Sequence, residues 1–135
     1  MQPLQTEPLR KNEFDLKLDQ AGVGPLLPAS IDTFQVNIGL WCNLECVHCH
    51  VSSSPRRKEE MNWETMEHIL YWAKETNART VDITGGAPEA HPLFKQFVRA
   101  ARAQGHDVMV RSNLSILLDE RFSDTPKFLA DNNVQ

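Results

Sequence analysis

The sequence predicts an α/β fold in which parallel strands alternate with helices, and three observations carry that expectation. Short β-rich runs stand at 33–39, 80–84 and 107–111, and the first two alternate apolar with polar residues. A helical apolar stripe or a helix-start signal follows each run. The resulting order, β-α-β-α-β-α, implies right-handed crossovers onto a parallel sheet, with ligand-binding loops at the C-terminal strand ends.

Residues 1–30 hold several of the prolines and read as an extended lead-in, with one short helix from Asn12 to Gln20 that Asn12 and Asp15 can cap. Residues 31–135 read as the core domain. Its first strand places Phe34, Val36 and Ile38 on one face and ends at Gly39. Asn62 is the expected N-cap of the first crossover helix. Met61 and Met66 there form a hydrophobic staple, and Met66, Ile69, Leu70 and Ala73 form the apolar stripe. The second strand, Thr80–Thr84, runs into the Gly85-Gly86 turn. Pro92 stands where the next helix is expected to start, Phe94, Phe97, Val98 and Ala101 supply its buried face, and Gly105 closes it. The third strand, Asp107–Arg111, leads into Ser112-Asn113. A last helix is expected from Asp124 or Thr125, ahead of Pro126, and Val134-Gln135 read as the first residues of a fourth strand.

The balance of charge narrows the function classes. With 14 Lys and Arg against 18 Asp and Glu, the chain has no basic surplus to recommend nucleic acid or an anionic membrane as partner. No apolar run approaches the roughly 20 residues of a membrane span, and the first residues lack a basic segment followed by an apolar one. The cytoplasm is the expected compartment. The three cysteines, packed between 42 and 49, agree with a reducing one, because thiols so close together in a secreted protein invite mispairing.

Those cysteines are the strongest chemical signal. Cys42, Cys46 and Cys49 stand at spacing C-x3-C-x2-C directly after a strand. Three thiolates on one short loop suit a soft metal centre, and three rather than four leave a coordination position open for chemistry. A Cys3His zinc site with His48 or His50 is the alternative reading of the same residues.

The spacing resembles the cluster motif of the radical SAM superfamily. The resemblance implies that Cys42, Cys46 and Cys49 hold a [4Fe-4S] cluster. It implies that S-adenosylmethionine chelates the fourth iron, and that an electron from the cluster cleaves it to methionine and a 5′-deoxyadenosyl radical. His48 takes the position of the family residue that contacts the adenine. Thr84-Gly85-Gly86-Ala87-Pro88-Glu89 resembles the family's Gly-Gly-Glu-Pro turn, with Ala87 at the usual glutamate position; this assigns Gly85, Gly86 and Pro88 to the methionyl pocket. Arg111-Ser112-Asn113 resembles a Thr-Asn-Gly segment, which directs Ser112 or Asn113 toward ribose or substrate.

More narrowly, Asn37, the stretch from Cys42 to Val51, Pro55, Met61 and the Asp82–Glu89 turn are similar to the subfamily linked to arsenosugar biosynthesis. Its proposed role is adenosyl transfer to a methylated arsenical. The resemblance further implies a small-molecule substrate and an electron donor such as flavodoxin or ferredoxin. It implies a partial (β/α) TIM-like barrel; since a closed barrel of this type takes roughly 250 residues, the chain is expected to be its N-terminal portion, about three βα units. The competing expectation is a non-catalytic truncated paralogue or a small zinc or iron-sulfur binding module.

Other residues have plainer readings. His50 is expected to donate a hydrogen bond beside the cluster, Arg56-Arg57-Lys58 to form a solvated loop edge against Glu59-Glu60, and Trp63 and Trp72 to serve packing or an interface. His68, His91 and His106 read as surface residues.

Overall fold

The computed structural model describes residues 11–27 and 29–135; the rest of the lead-in expected over 1–30 lies outside the described residues. A helix, α1 (Glu13–Gln20), begins at a capping box in which the Asn12 side chain accepts from the Phe14 and Asp15 amides and Asp15 reaches back to the Asn12 amide. Next come β1 (Thr33–Asn37), α2 (Trp63–Glu75), β2 (Thr80–Thr84), α3 (Phe94–Ala103), β3 (Asp107–Val110) and α4 (Thr125–Asp131). The three strands are parallel in the order β1-β2-β3, with Val36 opposite Ile83 and Ile83 opposite Val110. Sequential neighbours joined by helical crossovers packed on one face match the wiring of a (β/α) barrel wall.

One face of the sheet is apolar and carries the helices. Val36, Ile38, Val81, Ile83 and Val108 form a buried core with Met66, Leu70 and Ala73 of α2, Phe94, Phe97, Val98 and Ala101 of α3, and Phe128 of α4. The opposite face is polar: Gln35, Asn37, Asp82 and Thr84 alternate with the core residues. In a barrel this second face is the interior, and here it forms the floor of the site. Gln135 extends the sheet. Its amide donates to the Val108 carbonyl and its carbonyl accepts from the Val110 amide, both at 2.9 Å, the bonding pattern of a parallel strand beside β3. No described helix is long and apolar enough to cross a membrane.

Local signals act as the sequence indicates at several points. Asn62 caps α2 through its side chain to the Thr65 amide, and Met66 is fully buried beneath it. Gly105 follows α3 at φ +92°. Two expectations need correction. The second crossover helix starts at Phe94 rather than Pro92, after a 3-10 turn over Pro88–Ala90, because the Leu93 amide is taken up by His91 Nδ1 at 3.0 Å. His91 and His106 are buried, not superficial. His106 is drawn in because its Nδ1–H donates to the Ala78 carbonyl at 2.8 Å, which ties the start of β3 to the start of β2. Trp63 packs against the core edge, whereas Trp72 is exposed and meets Tyr71 edge to face at 5.2 Å.

Candidate metal and cofactor site

The cysteine loop is an excursion between β1 and α2 with a stitched neck. The Leu40 amide donates to the Glu59 carbonyl, Met61 to Ile38, and Cys42 to Ser54. On its other side the strand extension is gripped by the turn after β2: Gly86 donates to the Gly39 carbonyl at 3.0 Å and Ala87 to Trp41 at 2.8 Å. This second grip is possible only because of the glycines. A Cβ on Gly86 would lie 2.1 Å from the Trp41 carbonyl oxygen, and one on Gly85 would lie 2.6 Å from that of Gly39.

Inside the neck the thiols occupy different environments. Cys42 is buried with Ala87 and Ile116, and its sulfur accepts from the Leu44 amide and, at 3.5 Å, from the Asn113 side chain. Asn113 also donates to Asn43 at 2.9 Å, while Asn43 donates to Ser115 at 2.9 Å. The loop after β3 is thus clamped to the first cysteine. Cys46 is exposed and Cys49 half-buried, and both border a cleft of about 610 Å³ over the polar face of the sheet. The Cys49 thiol is held below its ordinary range by the Ser53 amide, with a further contribution from that of Val51. Thiolate is the form that binds metal, so this environment favours the ligand state. Among the described residues no three Cys, His, Asp or Glu side chains converge closely enough to hold a single metal ion. A cubane makes a different demand, since each thiolate takes its own iron and the sulfurs stand further apart. An all-thiol donor set on one loop fits that group.

The residues expected at the site are only partly brought together. His48, His50 and Gly85 line the cleft with Cys46 and Cys49. Asn113 turns to Cys42 and Asn43, and Ser112 caps the Leu114 amide. Pro88 lines a second cavity, of about 210 Å³, together with Trp41 and His91. Glu89, just beyond it, is buried with both carboxylate oxygens unpartnered among the described residues. Of the basic run, Arg56 stays exposed with Glu45, but Arg57 turns inward; it pairs with Glu59 and donates to the Val51 and Ser52 carbonyls, bracing the end of the cysteine loop.

One feature of the cleft floor has no local signal in the sequence. Arg111 donates through Nε and Nη2 to Asp82, at 3.0 and 2.7 Å, and Gln35 donates to the same carboxylate at 2.9 Å. The Arg111 hydrogen bonds hold the Asp82 carboxyl below its ordinary range, against the opposing effect of burial. A lowered carboxyl pKa contributes stability that is present above the unfolded value, near about 3.9, and is lost as pH falls through the folded one. Asp82→Asn is therefore expected to cost about 1–3 kcal/mol at neutral pH. Urea unfolding of both proteins should show that difference narrowing below about pH 4; a difference constant with pH would refute the assignment.

A family model described as the radical SAM superfamily matches residues 36–128. GTP 3',8-cyclase of Chlorobaculum tepidum is 25% identical over 93 residues, covering 68% of this chain and 28% of that protein. A probable GTP 3',8-cyclase of Methanothermobacter marburgensis is 28% identical over 79 residues, 58% of this chain and 26% of its own length. Streptococcus suis SuiB, solved bound to S-adenosylmethionine, superposes with a TM-score of 0.56 at 19% identity over 73% of this chain and 22% of SuiB. That similarity shows a shared fold. The chain spans about a quarter of the length of the curated relatives it matches.

Proposed function

Since this chain belongs to the radical SAM superfamily, we propose that it is the cluster-bearing part of a radical SAM enzyme. In this reading Cys42, Cys46 and Cys49 each bind one iron of a [4Fe-4S] cluster. The observation that carries it is the C-x3-C-x2-C loop held at the end of β1 over a polar cleft. When bound, the cluster supplies the electron that reductively cleaves S-adenosylmethionine to methionine and a 5′-deoxyadenosyl radical.

The chain's own residues position these groups. Asn113 and the Gly86 turn fix Cys42 from two sides, and Arg57 braces the loop beyond Cys49. His48, which lines the cleft, would lie against the adenine. Gly85 offers its backbone to the methionyl amino group, with Gly86 and Pro88 shaping the turn behind it. Ser112 and Asn113 close the rim nearest β3. A cytoplasmic setting keeps the thiols reduced, and a flavodoxin or ferredoxin is the fitting class of electron donor.

The narrower reading is adenosyl transfer to a methylated arsenical, supported by the run from Asp82 to Glu89 and the cysteine loop. The names of the relatives favour a second substrate, GTP. Reduction of the reconstituted chain with dithionite and S-adenosylmethionine is expected to yield 5′-deoxyadenosine and methionine in equal amounts. Repeating it with a methylated arsenical or with GTP tells the substrates apart, because the true one diverts the nucleoside or is itself converted. An intact cluster with no cleavage would favour a non-catalytic binding module.

A further inference from the structure

We propose that Arg111 is the residue that recognises an oxyanion on the substrate, a carboxylate or phosphate-like group, at the floor of the cysteine cleft. The proposal rests on the radical SAM reading of that cleft and adds to it a substrate class.

Three observations carry it. First, Arg111 follows β3 on the polar face, its amide bonded to the Ile83 carbonyl at 2.9 Å, and it borders the same cleft as Cys46 and Cys49. Among the described residues lining that cleft it is the one permanent cation, and no carboxylate lines it. Second, the pair it makes is asymmetric. Asp82 is 3% exposed and spends its oxygens on Arg111 Nε and Nη2 and on Gln35, whereas the Arg111 side chain remains 57% exposed. Nη1 takes part in no hydrogen bond among the described residues, so one edge of the guanidinium is fixed and the other is free. Third, a fixed planar fork matches a two-oxygen anion and loses little side-chain freedom on binding it.

Inorganic phosphate is the probe, titrated into the full 135-residue chain at ionic strength matched with chloride. Backbone amide shifts of Thr84, Gly85 and Ser112 are expected to move saturably with phosphate and not with chloride. Arg111→Gln should weaken this binding about tenfold or more, and Arg111→Lys, which keeps the charge but loses the fork, by several-fold. Asp82→Asn, which frees the fork, should weaken it less than Arg111→Gln. Unchanged titration in Arg111→Gln, or saturable shifts centred away from these amides, would overturn the proposal; if Arg111→Gln does not fold, unchanged titration in Arg111→Lys does so. A second arm measures S-adenosylmethionine affinity of the reconstituted variants. Equal affinity in wild type and Arg111→Gln supports a substrate role; a tenfold loss assigns the cation to the methionyl carboxylate and overturns it. Iron and sulfide content of the same proteins reports on the cluster separately, so failure of the cluster reading and failure of this one are distinguishable.

Discussion

Cys46→Ala is expected to abolish cluster assembly while leaving the fold intact. Cys46 is exposed and stands in neither group of buried apolar residues, so trimming its side chain should change stability by no more than about 0.5 kcal/mol. Its loss as a ligand is another matter. Removing even an outer-shell partner of a metal site costs about 10- to 100-fold in affinity, and a missing thiolate leaves one iron without a protein ligand. Iron and sulfide analysis after anaerobic reconstitution should fall to background in this variant, with an unchanged urea midpoint. Cys42→Ala offers the contrast, because Cys42 is 7% exposed and packs with Ala87 and Ile116. It should lose both the cluster and about 1 kcal/mol or more of stability. A full cubane retained by Cys46→Ala would contradict the ligand assignment.

Gly86→Ala is expected to damage the fold and the cluster together. The added Cβ would lie 2.1 and 2.6 Å from the carbonyl oxygen and carbon of Trp41, and 3.0 Å from the Cys42 Cβ. The first two are backbone atoms, which no rotamer change can move aside. Relief requires the turn after β2 to separate from the strand extension, breaking the Ala87–Trp41 hydrogen bond and shifting the buried cysteine. The cost should be about 3 kcal/mol, at the upper end for overpacking. Reconstitution should also deliver much less iron, since the thiols lose their mutual placement. Gly22→Ala is the control: Gly22 has φ +69° but nothing within 4 Å of the Cβ position, so strain alone should lower stability slightly and leave iron content unchanged. Wild-type stability and iron content in Gly86→Ala would show that the close approach does not hold Cys42.

The Gly86 geometry also shows what the sequence can and cannot disclose. The Gly85-Gly86 pair reads as a place where backbone meets a cofactor. In the structure the space beside Gly86 is filled by the chain's own Trp41, and the glycine positions Cys42 instead. Local features were legible because neighbouring residues carry them: the alternation of the first two strands and the Asn12 and Asn62 caps. The cysteine spacing was legible for the same reason. What escaped are contacts between residues far apart in sequence. Asn113 reaches Cys42 across 71 positions, and Arg111 reaches Asp82 across 29. Each is an ordinary polar residue at a strand end until the parallel register brings the strand ends side by side. His91 and His106 escaped because the burial of a histidine is decided by what the fold packs over it, not by its neighbours in sequence.

Whether the cysteine loop carries an iron-sulfur cubane is a question of composition. Its most direct test is the iron, acid-labile sulfide and zinc content of the full chain after anaerobic reconstitution with iron and sulfide. About four irons and four sulfides per chain are expected, with sulfur-to-iron charge-transfer absorbance that changes on addition of S-adenosylmethionine. One bound zinc per chain, with no uptake of iron or sulfide, would contradict a cubane.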